Sequence, residues 1–600
     1  DFRVVMTFEL AGEELRARVT VENHCDDLLR EIWFPFLSGV RELDKHTRHH
    51  LLINYSTGLI MDDPYVNLPH YDGQTFGNRP GGRFFTHGFG KYPLLYPGVC
   101  AMPWMDYYDA RQGWYLGYHD HDTPSTGLLM RTRDVEEDIQ LGFVRYPMIQ
   151  PGTRWESGTF VICAHEGDWH AGSKRYQAFA AEKIGVTHAP DWLQNTSGFH
   201  IVSCIGQDRG IHHSYSHIYE TFKADCASGV DLPLVVFGWV KRGFDNGYPE
   251  LDPDERIGGA EALRSVIRQV QVEGGKVLLY TQGRLIDMCT DFYKQIGHDC
   301  CCVSEDGVPY VDEYSFNAEA TIYPNRLFAL SCPSTKAWED QLKKQIDIVM
   351  DLGADGLLYD QIGADQAFIC FNPAHEHASP DMAFHGKIQM LENLQQYAAA
   401  KNPGFAIMGE LICDVFLQKL DITHGWETQD GPDTPPYMHV CSEIYRYTFP
   451  SHRPSCRMAR TQAGYNTAFV NGMALEHSDM RLGNDAIVRH AVDLQKLRAR
   501  LMPFFNNSRF VDEDGLVSQP EAVLAKRYVG ADGTEGVAIA NNSEKPMIAR
   551  IALAARPGGK ATLYRQTGSQ EEIVAEVGVF HIEIPGLQAA FLIISPESTQ

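Results

Sequence analysis

The sequence predicts a multidomain α/β protein: an N-terminal β-sandwich over residues 1–190, a central (β/α)8 TIM barrel over 191–512 and a small C-terminal β-sandwich over 513–600. Three observations carry this. Six hundred residues exceed what a single hydrophobic core organises. In the middle of the chain, short apolar runs alternate with amphipathic stretches, as in a parallel sheet with crossover helices. On either side the hydrophobic period falls to two, which is strand and hairpin patterning.

The N-terminal region opens with Phe2–Leu10 and Leu15–Val21, two alternating runs separated by a short turn, and continues in the same style at Gly127–Arg133 and Gly158–Cys163. Between them, Asp62 to Asp120 is rich in Gly, Pro and aromatics, and reads as a long loop carrying Trp104, Tyr107, Tyr108, Trp114 and Tyr115. Such rings in a loop must cover or bind something, so the loop is expected to wall the mouth of the barrel. The barrel strands are expected at Phe199–Cys204, Leu234–Trp239, Lys276–Tyr280, Gly356–Asp360, Phe405–Glu410, Leu420–His424, Tyr445–Phe449 and Thr467–Asn471. Helices at Ala260–Glu273, Thr335–Leu352 and Asp381–Lys401 supply crossovers. The C-terminal strands are expected around Val537–Ala540, Met547–Leu553, Ala561–Tyr564, Val579–Ile584 and Ala590–Ile594.

The bulk numbers exclude several partners. A formal net charge of −26 disfavours nucleic acid and anionic membrane, both of which need a basic face. No run approaches the roughly 18 to 20 apolar residues of a membrane span. The fourteen cysteines include no C-x-x-C pair and follow no framework spacing, so free thiols in a reducing compartment are expected. The chain opens on Asp1 rather than Met, so a natural N-terminus upstream is expected, with bacterial cytoplasm and periplasm both open. Oligomeric state is likewise open.

Chemistry concentrates at two expected strand tips. Gly356-Leu-Leu-Tyr-Asp360 and Phe405-Ala-Ile-Met-Gly-Glu410 are apolar runs that each end on a carboxylate. The C-terminal tips of barrel strands are where such folds keep catalytic residues. Neighbouring parallel strands lie about 4.8 Å apart, and a retaining glycosidase needs its two carboxyls about 5 to 5.5 Å apart. The expected roles are Asp360 as ionised nucleophile and Glu410 as proton donor, its pKa raised by burial and by its neighbour. The block Phe237-Gly-Trp239 to Asp245-Asn-Gly-Tyr-Pro suits a sugar, with indole under the ring and carboxylate on its hydroxyls. Arg284 is a candidate partner for Asp360; Tyr359, His424, Trp426, His452, Arg453 and Glu476 complete the substrate-binding candidates. No metal or cofactor is expected. His212, His213 and His217, and His375 with His377 around Glu376, lack the H-E-x-x-H arrangement and read as surface histidines. G-x-S-x-G, Walker A and strand-linked G-x-G-x-x-G patterns are not found.

Tyr359-Asp360 and Gly409-Glu410 resemble the nucleophile and acid/base placement of the α-amylase superfamily and of endo-α-N-acetylgalactosaminidases. Trp239 to Asp245 and onward is similar to the second-strand loop of α-galactosidase-like enzymes, where that Asp contacts the nonreducing sugar. Taken whole, the chain most resembles an uncharacterised group of bacterial barrel glycosidase-like proteins. The resemblance implies a retaining hydrolase of α-linked sugars, with carbohydrate as partner. Leu358 stands where the α-amylase pattern has Arg, so substrate identity does not carry over, and the α-galactosidase pattern offers Asp421 or Asp430 as alternative acids. Two other readings remain: a noncatalytic glycan-binding protein on a degenerate barrel, and a barrel lyase or metal-dependent hydrolase.

Overall fold

The structure, a computed structural model, describes all residues except 42, 45, 69–93, 121, 133–137, 186–188, 315–325, 364–367, 431–433, 479–484, 521, 555–558 and 596–600. Its centre is a nearly closed barrel of eight parallel strands. In chain order these are barrel strands 1 (Gly198–Ser203), 2 (Leu234–Phe237), 3 (Val277–Gln282), 4 (Gly356–Asp360), 5 (Ala406–Glu410), 6 (Ile422–Trp426), 7 (Pro454–Cys456) and 8 (Leu475–Ser478). Each pairs with its predecessor up to strand 7, strand 8 pairs with strand 1, and a single parallel bridge, Ser455 to Ala474, links strands 7 and 8.

Strands covered on both faces need apolar residues throughout, and Leu234, Val235, Val236, Leu357, Leu358 and Tyr359 are all buried. The outer layer is set by helical periodicity. Helix Gly259–Val272 buries Leu263, Val266, Ile267 and Val270 against the barrel, a spacing that keeps one face apolar. Helix Lys336–Asp351 does the same with Trp338, Leu342, Ile346 and Val349.

Strands 7 and 8 are not where sequence reasoning expects them. Tyr445–Phe449 overlaps helix Glu443–Thr448, and Thr467–Asn471 falls at the end of helix Gln462–Val470. Tyr, Thr, Phe and Val favour strands intrinsically, but packing overrides so weak a preference. The first of these helices is buried on nearly every side. The second starts at Thr461, whose hydroxyl accepts from the Gly464 N–H at 3.0 Å, an N-cap of the usual kind. The real strand 7 is Pro-Ser-Cys, too short and too polar to stand out. Strand 6 lies two residues beyond its expected position.

Before the barrel, a nine-stranded sheet and a four-stranded sheet (Ile32–Val40, Ile139–Arg145, Thr126–Thr132, Leu94–Tyr96) face each other; Phe34 and Phe143 of the smaller meet Phe160 of the larger, with ring centroids 6.0 and 5.0 Å apart. Strand Met438–Val440, from the segment after barrel strand 6, pairs with Leu59–Asp62 and extends the larger sheet. Helix Trp169–Ala181 leads toward the barrel. After the barrel, a six-stranded and a three-stranded sheet share one core that includes Val537, Ile539, Ile551 and Ile582.

The aromatics expected in a loop sit on paired strands: Trp104, Tyr107 and Tyr108 on Cys100–Tyr108, Trp114 and Tyr115 on Gln112–His119. Residues 69–93 of that expected loop lie outside the described residues. The N-terminal sheets do touch the mouth-side loops. Tyr96 and Tyr176 both donate their hydroxyls to Asp414, just past barrel strand 5, and Trp104 packs on Tyr176.

Candidate functional site

Barrel strands 4 and 5 deliver Asp360 and Glu410 into one cavity of about 190 Å³, lined also by Ile201, Phe237, Phe244, Asp245, Tyr280, Tyr314, Gln361, His424, Arg457, Met458 and Glu476. Strand parity explains the selection. Side chains alternate across a strand, so Asp360 faces the lumen while Tyr359 faces the helices, its hydroxyl donating to the Leu342 carbonyl at 2.7 Å. Just beyond each carboxylate the backbone turns sharply. Gln361 and Leu411 have φ of 57° and 64°, and Asp245 has 55°. These are left-handed conformations that cost a non-glycine residue roughly 1 to 2 kcal/mol, and such strain is typical of functional sites.

Asp360 and Glu410 hydrogen-bond to each other. Burial pushes the Asp360 carboxyl well up, and the negative charges of Glu410 and Asp245 push it further. Burial also opposes ionisation of Glu410, but the hydrogen bond from Asp360, the Arg457 and His424 side chains and the Gln361 N–H outweigh it and hold Glu410 low. The expectation of a raised Glu410 is therefore reversed: of the pair, Asp360 is pushed up and Glu410 is held low. Gln282 donates to Asp360 Oδ2 at 2.8 Å, Arg457 to Glu410 Oε1 at 3.1 Å and the Gln361 N–H to Glu410 Oε2 at 3.2 Å.

The rest of the wall is tied down around this pair. The Tyr280 hydroxyl donates to Asp245 Oδ1 at 2.6 Å, and Gln207 donates to the other oxygen. His424 Nδ1 lies 2.6 Å from Glu476 Oε1, while Glu476 Oε2 is buried without a hydrogen-bond partner. An unpaired buried carboxylate oxygen in a cavity wall is a ready acceptor for a ligand hydroxyl. Gln361 donates to the Tyr314 hydroxyl at 2.7 Å.

The structure thus gathers five of the expected residues: Asp360, Glu410, Asp245, His424 and Glu476. The other six lie elsewhere. Trp239 is fully buried, its indole N–H held by the Tyr280 carbonyl at 2.7 Å, so it offers no stacking face. Tyr359 points outward. Arg284 is buried and directed to Gln361 Oε1 at 3.1 Å, with Phe368 beneath its guanidinium. Trp426 packs on Tyr445 outside the lumen because a register irregularity between Thr423 and Trp426 turns it over. His452 and Arg453 precede strand 7 and so sit at the N-terminal end of the barrel, opposite the strand tips that line the cavity. His452 bonds Thr423, and its pKa is pushed down to about 3 by burial and by Arg446. Arg453 donates to the Gln194 and Phe505 carbonyls. Of the alternative acids, Asp421 precedes strand 6 and accepts from the Ile407 N–H at 2.6 Å, and Asp430 caps the Val440 N–H at 2.8 Å.

Sequence reasoning missed Arg457, Gln361, Tyr280 and Tyr314. Tyr280 and Gln282 share one parity on strand 3, which is the signal that could have found Tyr280. The histidines read as surface also divide. His213 and His217 stack on each other, whereas His375 and His377 converge with Cys332 and Cys370, a set able to hold a metal.

Residues 156–434 match a family model described as a domain of unknown function, DUF6259. A curated "Putative glycoside hydrolase" of Bacteroides thetaiotaomicron is 33% identical over 154 residues, and a similarly named protein of Monosiga brevicollis is 22% identical over 350. The matches cover 21% and 28% of those two proteins, so the chain spans well under half of either. Among solved structures, the α-N-acetylgalactosaminidase NagBb from Bifidobacterium bifidum, in its GalNAc complex, superposes with a TM-score of 0.64 at 15% identity over 89% of both chains. The GH36 α-galactosidase AgaA from Geobacillus stearothermophilus gives 0.55 at 12% identity over 99% of this chain and 81% of its own. The resemblance read from the sequence is met at the level of the fold: the chain has a parallel barrel similar to those of α-galactosidases and α-N-acetylgalactosaminidases.

Proposed function

We propose that the protein is a retaining glycoside hydrolase acting on an α-linked sugar, with Asp360 as nucleophile and Glu410 as acid/base. The observation that carries this is the carboxyl pair, at the tips of adjacent barrel strands and facing one cavity sized for a sugar ring. About 190 Å³ holds roughly six waters, the scale of one monosaccharide rather than a chain. One proton for two carboxyls is also the charge state a retaining mechanism starts from. A sugar entering the cavity wedges the pair apart, and the proton passes from Asp360 to Glu410 as they separate. Asp360 Oδ attacks the anomeric carbon, the bond to the leaving oxygen breaks, and that oxygen takes its proton from Glu410. Water then attacks the glycosyl-enzyme ester and returns a proton to Glu410, releasing sugar with retained configuration.

Asp245, His424 and Glu476 would receive hydroxyls, and Arg457 and Gln361 would orient Glu410. With Asp245, Asp360, Glu410 and Glu476 around a single Arg457, the wall favours a neutral sugar over an anionic one. In this reading, 191–512 is the catalytic barrel, and 1–190 and 513–600 are sandwich domains that brace it.

The opposed shifts, Asp360 up and Glu410 down, favour a second reading, in which Glu410 attacks and Asp360 donates. One experiment separates the two. A fluorosugar that stalls the second step should leave its mass on the peptide containing Asp360; label on the Glu410 peptide would exchange the roles. Asp360→Asn should abolish turnover with the fold intact. Glu410→Gln should lose about 10²- to 10⁴-fold on substrates with basic leaving groups and far less on activated aryl glycosides. Wild-type protein that binds glycans but cleaves none would leave a binding protein.

A further inference from the structure

We propose that Cys332, Cys370, His375 and His377 form a zinc site that pins the loop following barrel strand 4. Their four ligand atoms all lie within 4.8 Å of one another. A tetrahedral zinc with bonds of about 2.0 to 2.3 Å sets its ligands roughly 3.3 to 3.8 Å apart, so a small inward movement closes the shell. Cys370 Sγ and His375 Nδ1 are already at 3.4 Å. Two thiols with two imidazoles are a donor set that selects zinc over hard cations.

The surroundings are those of a metal site. The second ring nitrogen of His375 lies 2.9 Å from the Asp299 carbonyl. That contact places the N–H on Nε2 and leaves the Nδ1 lone pair free toward the thiols, the outer contact that orients metal-bound histidines. His377 Nε2 is buried without a hydrogen-bond partner. Zinc binding would release the thiol protons. Cys302 stands next to both thiols but has a partner of its own, the Ser331 carbonyl at 3.5 Å.

The site's place suggests its use. Cys332 lies just before helix Lys336–Asp351, whereas Cys370, His375 and His377 follow barrel strand 4. A metal would tie the excursion after strand 3 to the loop that begins at Asp360. It would sit in the small core of Leu285, Cys302, Tyr314, Phe328, Phe368 and Cys370, whose Tyr314 lines the cavity and receives the Gln361 hydrogen bond. Four protein ligands leave no open position, so the metal is structural. The buried His200–Asp225–His477 group is a weaker candidate, since Asp225 already ion-pairs with both histidines at 2.9 and 3.7 Å.

The full chain, produced in zinc-supplemented medium and dialysed against metal-free buffer, should carry close to one zinc by mass spectrometry of the metal. Cobalt exchanged into it should give tetrahedral visible bands with thiolate charge transfer. Cys370→Ser and His375→Gln should lose the metal, and Cys302→Ser should keep it. Chelator should lower the melting temperature of the wild type and leave that of Cys370→Ser unchanged. Should Cys370→Ser fail to fold, the cobalt spectrum and the Cys302→Ser control decide alone. Substoichiometric zinc in the wild type, an octahedral cobalt spectrum, or a disulfide joining Cys302 or Cys370 to Cys332 would overturn the assignment.

Discussion

Replacing Arg457 with Met removes the cation beside Glu410 while keeping an unbranched apolar stem. The Arg457 Nη2 to Glu410 Oε1 contact is 3.1 Å, and the two side chains are 44% and 16% exposed. Opposite charges about 4 Å apart attract by roughly 1 kcal/mol in water and 4 at an effective dielectric of 20. With the arginine nearly half in solvent, about 1 to 2 kcal/mol is the appropriate range, or roughly one pKa unit. The sign follows from the direction of the perturbation. Arg457 helps hold Glu410 ionised, so its loss raises the pH at which the pair gives up its first proton. The acid limb of kcat/KM on an aryl glycoside should move up by about one unit, because that limb reports the free enzyme's essential groups. Activity should therefore fall about tenfold on the acid side and little near the optimum. High salt should move the wild-type limb the same way and the variant's hardly at all, and Arg457→Lys should recover part of the shift. An acid limb that stays in place, or a loss equal at every pH, would refute the reasoning.

Other outcomes follow from the same geometry. His170 bridges Asp168 and Asp512 at 2.8 Å each, and against burial these carboxylates raise its pKa to about 9. A raised folded pKa means stability that is complete below the unfolded value of about 6.5 and is lost as pH climbs through about 9, here up to about 3 kcal/mol; urea melts of His170→Gln should show a flatter pH dependence across that window. Trp239→Ala should cost about 3 to 5 kcal/mol of stability, and Trp239→Phe, measured by KM on a folded enzyme, should bind substrate normally because the indole meets none. Asp421→Asn should keep the pH profile of the parent enzyme; a lost basic limb there would return the acid role to strand 6.

Much of the barrel was legible because burial on both faces forces continuous apolar runs, and a carboxylate closing such a run is conspicuous. That logic singled out Asp360 and Glu410, and the Gly-spaced loop after strand 2 singled out Asp245; all three line the cavity. The logic failed where residue type was weighed without parity. Tyr359 and Asp360 are neighbours on one strand, so if one faces the lumen the other cannot. Trp239 and Trp426 are the right rings for a sugar, yet each lies in the packing behind the wall. Arg457 was hidden by its strand: Pro454, Ser455 and Cys456 carry no apolar signature, and the aromatic helix before them mimics one. The cysteines escaped for a different reason. Cys332 and Cys370 are separated by a whole helix and a barrel strand, and spacing rules see only ligands close in sequence.

Strand Met438–Val440 has a consequence for how the chain is made. Its pairing of Met438 with Met61 joins the first sheet to a segment that emerges from the ribosome only after six barrel strands. At about 5 to 20 residues per second, the edge strand Leu59–Asp62 waits on the order of 20 to 75 s for its neighbour. During that time the N-terminal sheets present an open edge, the kind that recruits other chains. Expressing residues 1–190 alone would make the wait permanent, and slowing translation ahead of residue 438 should raise the demand for chaperones.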